Sequence, residues 1–284
     1  MLWPPSWQDG NPVSLEDIDT VHVFSDPMVK DPRSGKSISS IKAWLTDQVY
    51  LGGHGDEYLG VGTVTNEECK KKYKGRCGKR KTPWASPGVA PSLGGGCGVH
   101  GGNPFGCRAH KDKRPPGSNC VDRATYAFGS SALDVEFPQA TTTEWMLGSS
   151  QEVGWVSRGG HKGGYTYRLC KMPAEGKKGL TEECFARNVL EFATNTTMVR
   201  RLEVPGNWEE VEQSDLTSGT FPEGSAWRHV AKTMSGKTGG YLFKDEVTVP
   251  RNLPVGDYVL SFRWDTVDPQ IWVSCANVKL TLPA

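Results

Sequence analysis

"GYTYRLC", residues 164–170, decides the fold class. Tyr165, Tyr167 and Leu169 alternate with Thr166, Arg168 and Cys170, the period of two that turns successive side chains to opposite faces of a strand. The pattern returns near the end of the chain. "GDYVLSFRWD" (256–265) sets Tyr258, Leu260, Phe262 and Trp264 on one face. "CANVKLTL" (275–282) sets Ala276, Val278, Leu280 and Leu282 on one face. "EVGWVSR" (152–158) has β character, and "LPVGD" before Tyr258 is a turn signal. Strands with one apolar face, joined by turns, predict an all-β immunoglobulin/fibronectin-III-like β-sandwich with long disulfide-pinned loops. One short helix is expected in "LTEECFAR" (180–187), with Thr181 as N-cap and acids in its first turn. "IKAWLTDQVY" (41–50) fits a strand or a helical turn.

The chain has 284 residues, ample for a hydrophobic core. The expected organisation is one domain over 1–284, with a loop-rich, cysteine-rich excursion at about 50–125. Its 34 glycines and 19 prolines suit long connections. Lys plus Arg is 33 against 32 for Asp plus Glu, so no global field attracts polyanions and no nucleic-acid partner is expected. No apolar run is long enough to span a membrane.

Eight cysteines, an even number, fit disulfides and an oxidising compartment. Short spacing between a strand and a helix favours pairing of Cys170 with Cys184. The sequon Asn195-Thr196-Thr197 agrees with a secreted glycoprotein. "MLWPPSWQDG" has no apolar h-region, the expectation for a chain whose leader has been removed or whose start has been trimmed.

Three further stretches carry candidate chemistry. "CGVHGGNPFGCRAH" (97–110) is formally a Cys2His2 set of Cys97, His100, Cys107 and His110. Its short central gap and the even cysteine count favour a disulfide-pinned loop instead. "KKKYKGRCGKRK" (Lys70–Lys81) holds eight Lys or Arg in twelve residues and could anchor an anionic polymer. Its lone aromatic, Tyr73, is no stacking platform for single-stranded nucleic acid. His54, with Asp56 and Glu57, stands without a nucleophile elbow anywhere in the chain. Trp3, Trp7, Trp84, Trp208 and Trp227 lie near Gly, Pro or charge; some fit a sugar-stacking surface, but each taken singly fits better as a core or loop-pinning residue.

His161, in "GGHKGGYTYRLC" (159–170), is on residue type alone an accessible loop histidine. The string around it, followed by "LTEECF", resembles the lytic polysaccharide monooxygenases, especially the animal and protist branch with its chitin-binding type-4-like domain. "PQIWVSC" (269–275) resembles that superfamily's last strand, "LPVGDYVLSFRWD" the strand before it, and "MLWPPSW" the start of the mature chain. The resemblance implies a secreted enzyme that binds copper in a three-nitrogen brace and lies flat on an insoluble polysaccharide of the chitin or cellulose class. An external electron donor reduces the copper, O2 or H2O2 is activated, and a hydrogen is removed from C1 or C4. His161 would be the second brace ligand, Trp272 would shield the axial side, and Gln270 would position the oxygen species.

The brace needs a histidine at residue one, and Met1 stands there. Either a native histidine lies just upstream, or the protein is a non-catalytic polysaccharide-binding or matrix protein on the same scaffold. Trp272 also departs from the Tyr or Phe usual at the axial position. As a strand residue, it reads as an ordinary core aromatic.

Overall fold

The computed structural model describes residues 23–25, 46–47, 84, 87–90, 92–100, 131–136, 142–157, 162–201, 208–230, 241–266 and 271–283. Met1, Trp3, Trp7, His54, Asp56, Glu57, the basic run 70–81, Cys107, His110, His161 and Gln270 lie outside them.

Alternation is what builds the two sheets. The first contains, in spatial order, β1 (Val23–Ser25), β5 (Ser150–Ser157), β11 (Tyr241–Thr248), β7 (Thr196–Arg201) and β8 (Glu209–Glu212). The second contains β4 (Thr142–Met146), β13 (Ile271–Thr281), β12 (Gly256–Asp265), β6 (Gly164–Lys171), β10 (Trp227–His229) and β9 (Asp215–Leu216). A short ladder joins β2 (Thr46–Asp47) to β3 (Val99–His100), so part of the ambiguous 41–50 stretch is a strand. The outer pairs β1–β5 and β4–β13 are parallel, and the central pairs are antiparallel. The chain is therefore an all-β sandwich.

The inward residues are those the period of two selects. Tyr165, Tyr167 and Leu169 of β6 meet Tyr258, Leu260, Phe262 and Trp264 of β12 and Ala276, Val278 and Leu280 of β13. Val153 and Trp155 of β5, Val199 of β7, and Tyr241, Phe243 and Val247 of β11 close the core from the other sheet. Trp155 stacks on Phe243 with ring centroids 4.1 Å apart. Leu282 departs from the expected face: β13 ends at Thr281, and Leu282 is exposed.

The opposite face of the second sheet corrects a simple sandwich reading. Thr166, Arg168 and Cys170 of β6 and Ser261, Arg263 and Asp265 of β12 are all buried. They are covered by a strap whose described residues, 84, 87–90 and 92–98, run antiparallel to β12. Trp84 N–H donates to the Thr266 carbonyl, Gly88 N–H to Asp265 Oδ2, Arg263 Nη2 to the Ala90 carbonyl, and Ser261 Oγ to the Gly96 carbonyl. The Cys97–Cys275 disulfide fixes the strap's end to β13. That bond also removes Cys97 from any zinc set, so the Cys2His2 reading of 97–110 fails. Trp84 and Trp227 are buried under the same cover and are not sugar-stacking surfaces, while Trp208 is half-buried.

A helix, α1 (Glu182–Ala186), completes the cover. Cys184 in it is bonded to Cys170 of β6. Thr181 caps it: the Thr181 Oγ1 accepts from Cys184 N–H at 3.2 Å. Thr181→Ala is expected to cost about 1 kcal/mol, read as a lower denaturation midpoint with an unchanged slope. No helix among the described residues is long and apolar enough to cross a membrane.

Candidate functional site

One end of the second sheet adjoins, in sequence, two of the expected site residues. Its terminal row pairs Gly164 of β6 with Asp265 of β12, and Asp265 with Ile271 of β13. His161 precedes Gly164 by three residues, and Gln270 directly precedes Ile271. Neither belongs to the described residues, but their chain neighbours do. Lys162 has φ +56° and Gly163 φ +84°, a left-handed pair that turns the chain into β6. Gly163 is required there: a Cβ would lie 2.1 Å from the Asp265 carbonyl oxygen.

The next row is aromatic. Tyr165 pairs with Trp264, and Trp264 with Trp272, across three adjacent strands. Trp264 and Trp272 lie near-parallel, with centroids 6.2 Å apart and planes at 27°. The Trp264 indole N–H donates to the Lys162 carbonyl at 2.8 Å, tying the turn after His161 to this row. Trp272 is half-buried and packs on the core. It is thus both a core aromatic, as its strand position suggests, and the end of a row that reaches the rim. On the same rim, His229 of β10 lies opposite Gly164, and the Trp84 ring meets it edge-on at 4.9 Å. Sequence reasoning overlooked His229, because only the pairing of β10 with β6 brings it here.

Beneath this end lie two buried polar clusters. In the outer one, Glu182 accepts from Arg168, from Arg263 at 2.6 Å and from Ser92. Arg263 also holds Asp265 through Nε at 2.8 Å and Nη2 at 3.0 Å, and Arg168 donates to Ser261 Oγ at 2.9 Å. Burial would raise the Glu182 carboxyl, but the Arg168 and Arg263 guanidiniums more than reverse this and bring it down to about 2. Burial opposes the charge on Arg168 and lowers its pKa. Burial also opposes the charge on Arg263, but Asp265 and Glu182 outweigh that and raise it.

The inner cluster sits between the sheets. Asp245 of β11 accepts from Thr197 at 2.5 Å, Tyr165 at 3.1 Å and Arg228 at 3.3 Å through Oδ1, and from Tyr167 at 3.1 Å through Oδ2. Arg228 reaches Asp215 at 3.0 Å and the Thr194 carbonyl at 2.5 Å, and its guanidinium lies 3.7 Å from the Phe192 ring centroid. Burial raises the Asp245 carboxyl despite Arg228 and the three hydroxyls. Burial, with the Asp245 charge, pushes both tyrosine hydroxyls well above the ordinary phenol range.

The described residues form an aromatic wall at this end rather than a ligand set. Among them, no three His, Cys, Asp or Glu side chains converge to hold a metal ion. A copper set would therefore need His161 and a terminal amino group beyond the described residues.

No protein-family model matches the chain. The chain is similar to the AA13 family lytic polysaccharide monooxygenase A of Pyricularia oryzae, at 24% identity over 180 residues. The match covers 51% of this chain and 44% of that relative, so the chain spans less than half of the relative's length. A two-sheet sandwich with a tryptophan-lined end and a distant similarity to a lytic polysaccharide monooxygenase are thus properties of one chain.

Proposed function

We propose that the protein is a secreted, single-domain lytic polysaccharide monooxygenase that cleaves a polysaccharide of the chitin or cellulose class oxidatively at C1 or C4. The observation that carries this reading is the Trp264–Trp272 pair, tied through Lys162 to the turn that follows His161. The distant relative named as a lytic polysaccharide monooxygenase supports the same class of reaction. In this reading, His161 and an amino-terminal histidine supply the nitrogens that hold copper. Imidazole and amine nitrogens suit that metal. When bound, copper would supply the redox chemistry that activates an oxygen co-substrate, using electrons from an external donor.

The chain's own residues then have separable tasks. Trp272 would set an apolar ring beside the metal, with no oxygen atom to offer it. Gln270 would supply an amide that can donate or accept a hydrogen bond to the oxygen co-substrate. The Lys162–Gly163 turn fixes the direction from which residue 161 enters β6. The basic run at 70–81 anchors the protein to an anionic polymer near its substrate. Asn195, exposed just before β7, carries an N-glycan. The string at 159–187 favours the animal and protist branch, whereas the curated relative is an AA13 protein.

The test is copper titration followed by electron paramagnetic resonance, on protein isolated from its own source so that the native amino terminus is kept. One tightly bound Cu(II) with nitrogen couplings, lost in His161→Ala, and oxidised oligosaccharides from chitin or cellulose are expected. Retained polysaccharide binding with no copper signal would replace the enzyme by a non-catalytic matrix protein.

A further inference from the structure

Of the loop-flanked tryptophans that the structure describes, Trp84 and Trp227 are buried, whereas Trp208 is only half-buried. Trp208 directly precedes β8, one residue beyond the pairing of Val199 with Glu209, so it falls opposite Arg200. Val199 and Phe243 point into the core, so their chain neighbours Arg200 and Lys244 turn to the outer face of the first sheet. The indole lies over both. The Arg200 guanidinium carbon is 5.3 Å, and the Lys244 ammonium 5.5 Å, from the centre of the Trp208 ring. Both cations rise from the sheet, so both lie beneath the ring, and cation–π attraction fixes its orientation. The surface that the ring keeps accessible therefore faces away from the sheet.

Beside the ring stands an ion pair. Lys244 Nζ meets Glu152 Oε2 at 3.0 Å, and the two side chains keep 18% and 21% of their surface accessible. Gly154, which pairs with Lys244, adds no side chain to obstruct that diagonal contact. An indole face next to one strong donor and one strong acceptor suits a sugar ring. The C–H face of the sugar lies on the indole, while its hydroxyls donate to the carboxylate and accept from the ammonium. The surrounding charge selects among sugars. Glu152 balances Lys244, and Arg200 is 1% exposed beneath the ring. Glu210 and Glu212 of β8 and Glu246 of β11 are exposed on the same outer face. A uronic-acid or sulfated chain would be repelled by these carboxylates, and a neutral chain would not.

We propose that Trp208, Lys244 and Glu152 form a second sugar-binding site, on the outer wall of the first sheet, for a neutral polysaccharide chain. The first sheet separates it from the Trp264–Trp272 row, which packs against the core on the inner side. The site needs no metal and goes beyond the proposed oxidative cleavage. It holds one stretch of polymer on the side of the molecule, which raises the effective concentration of neighbouring stretches at the rim.

The test uses the whole chain, freed of metal by a chelator and grown with 5-fluorotryptophan, so that each of its ten tryptophans carries a fluorine reporter. Trp208→Phe removes one fluorine line and thereby assigns it, while keeping a ring over Arg200. Titration of the otherwise unaltered protein with soluble cello-, chito- and malto-oligosaccharides should shift that line to saturation for at least one of the three. Glu152→Ala should weaken the titration of the same line roughly fivefold. A tryptophan that only covers Arg200 would give no shift. The proposal is overturned if no neutral oligosaccharide moves the Trp208 line, or if polygalacturonate oligomers move it as strongly. It is also overturned if Glu152→Ala titrates like the unaltered protein. Copper and oxidised products are not part of this readout, so its failure leaves the monooxygenase reading untouched.

Discussion

Glu182→Ala is expected to destabilise the protein by about 3–5 kcal/mol, the usual cost of removing one partner from a buried ion cluster. Two guanidiniums converge on this carboxylate, and both Arg168 and Arg263 are buried on the face that the strap covers. Without Glu182, Arg263 keeps Asp265, but Arg168 keeps only the hydroxyl of Ser261. Arg168 thus becomes an unneutralised charge at the helix–sheet junction, its guanidinium 5.3 Å from the Phe185 ring centroid. Glu182→Gln separates the charge from the shape, because it keeps the acceptor oxygen and loses only the negative charge.

The same carboxylate sets an acid limit. Its folded pKa, about 2, lies below the ordinary 4.5, so its stabilisation is complete above the ordinary value and is lost as pH falls from there toward about 2. Denaturant titrations across that window should show a steeper loss for the unaltered protein than for Glu182→Gln. Equal slopes would mean that the cluster does not hold the charge.

Arg228→Met is expected to cost a similar amount, about 3–5 kcal/mol, for the opposite electrostatic reason. Here the survivor is a carboxylate. Asp245 is buried between the sheets and would keep hydroxyl donors only, from Thr197, Tyr165 and Tyr167. The Thr194 and Thr196 carbonyls would each lose a donor as well. Burial already raises the Asp245 pKa, and losing the cation raises it further. A carboxyl whose folded pKa is raised favours the folded state below its unfolded pKa, and that advantage disappears as pH rises through the folded value. The Arg228→Met penalty should therefore be largest near neutral pH and shrink toward pH 4. A penalty independent of pH would show that lost packing over Phe192, and not the bared charge, is responsible.

The strands were legible because one physical rule produced them. Tyr165 to Leu169 and Tyr258 to Trp264 alternate because the core accepts one face only. The second face of the same strands was not legible. Arginine is seldom fully buried, and nothing in the alternation of these strands marks Arg168 and Arg263 as exceptions. They are buried here because a segment distant in sequence and rich in Gly and Pro lies over them. Nothing in "WASPGVAPSLGGGC" (84–97) announces that role, since its contacts are made largely by backbone carbonyls and amides. Trp227, which its loop-flanked sequence left open between a sugar-stacking surface and a pinned residue, is buried in β10. Asp245 could have been found. It stands at an inward position of "YLFKDEVT" (241–248), between Phe243 and Val247, where a charge demands partners. At the site, Trp272 was singled out only by the resemblance of "PQIWVSC" (269–275) to a known family's last strand, whereas His229 and Trp84 arrive there only through pairing and packing.

The bond that anchors the strap imposes a schedule on biosynthesis. Cys97 and Cys275 are 178 residues apart, and Cys275 belongs to the last strand. At about 5–20 residues per second, Cys97 leaves the ribosome on the order of ten seconds or more before its partner exists. During that interval its thiol is exposed to Cys107 and Cys120, which follow it closely. Cys170 and Cys184, only 14 residues apart, face almost no such delay. A nascent chain would thus secure its helix early and its strap last, and yield during expression should depend on disulfide isomerase capacity more than on oxidising power.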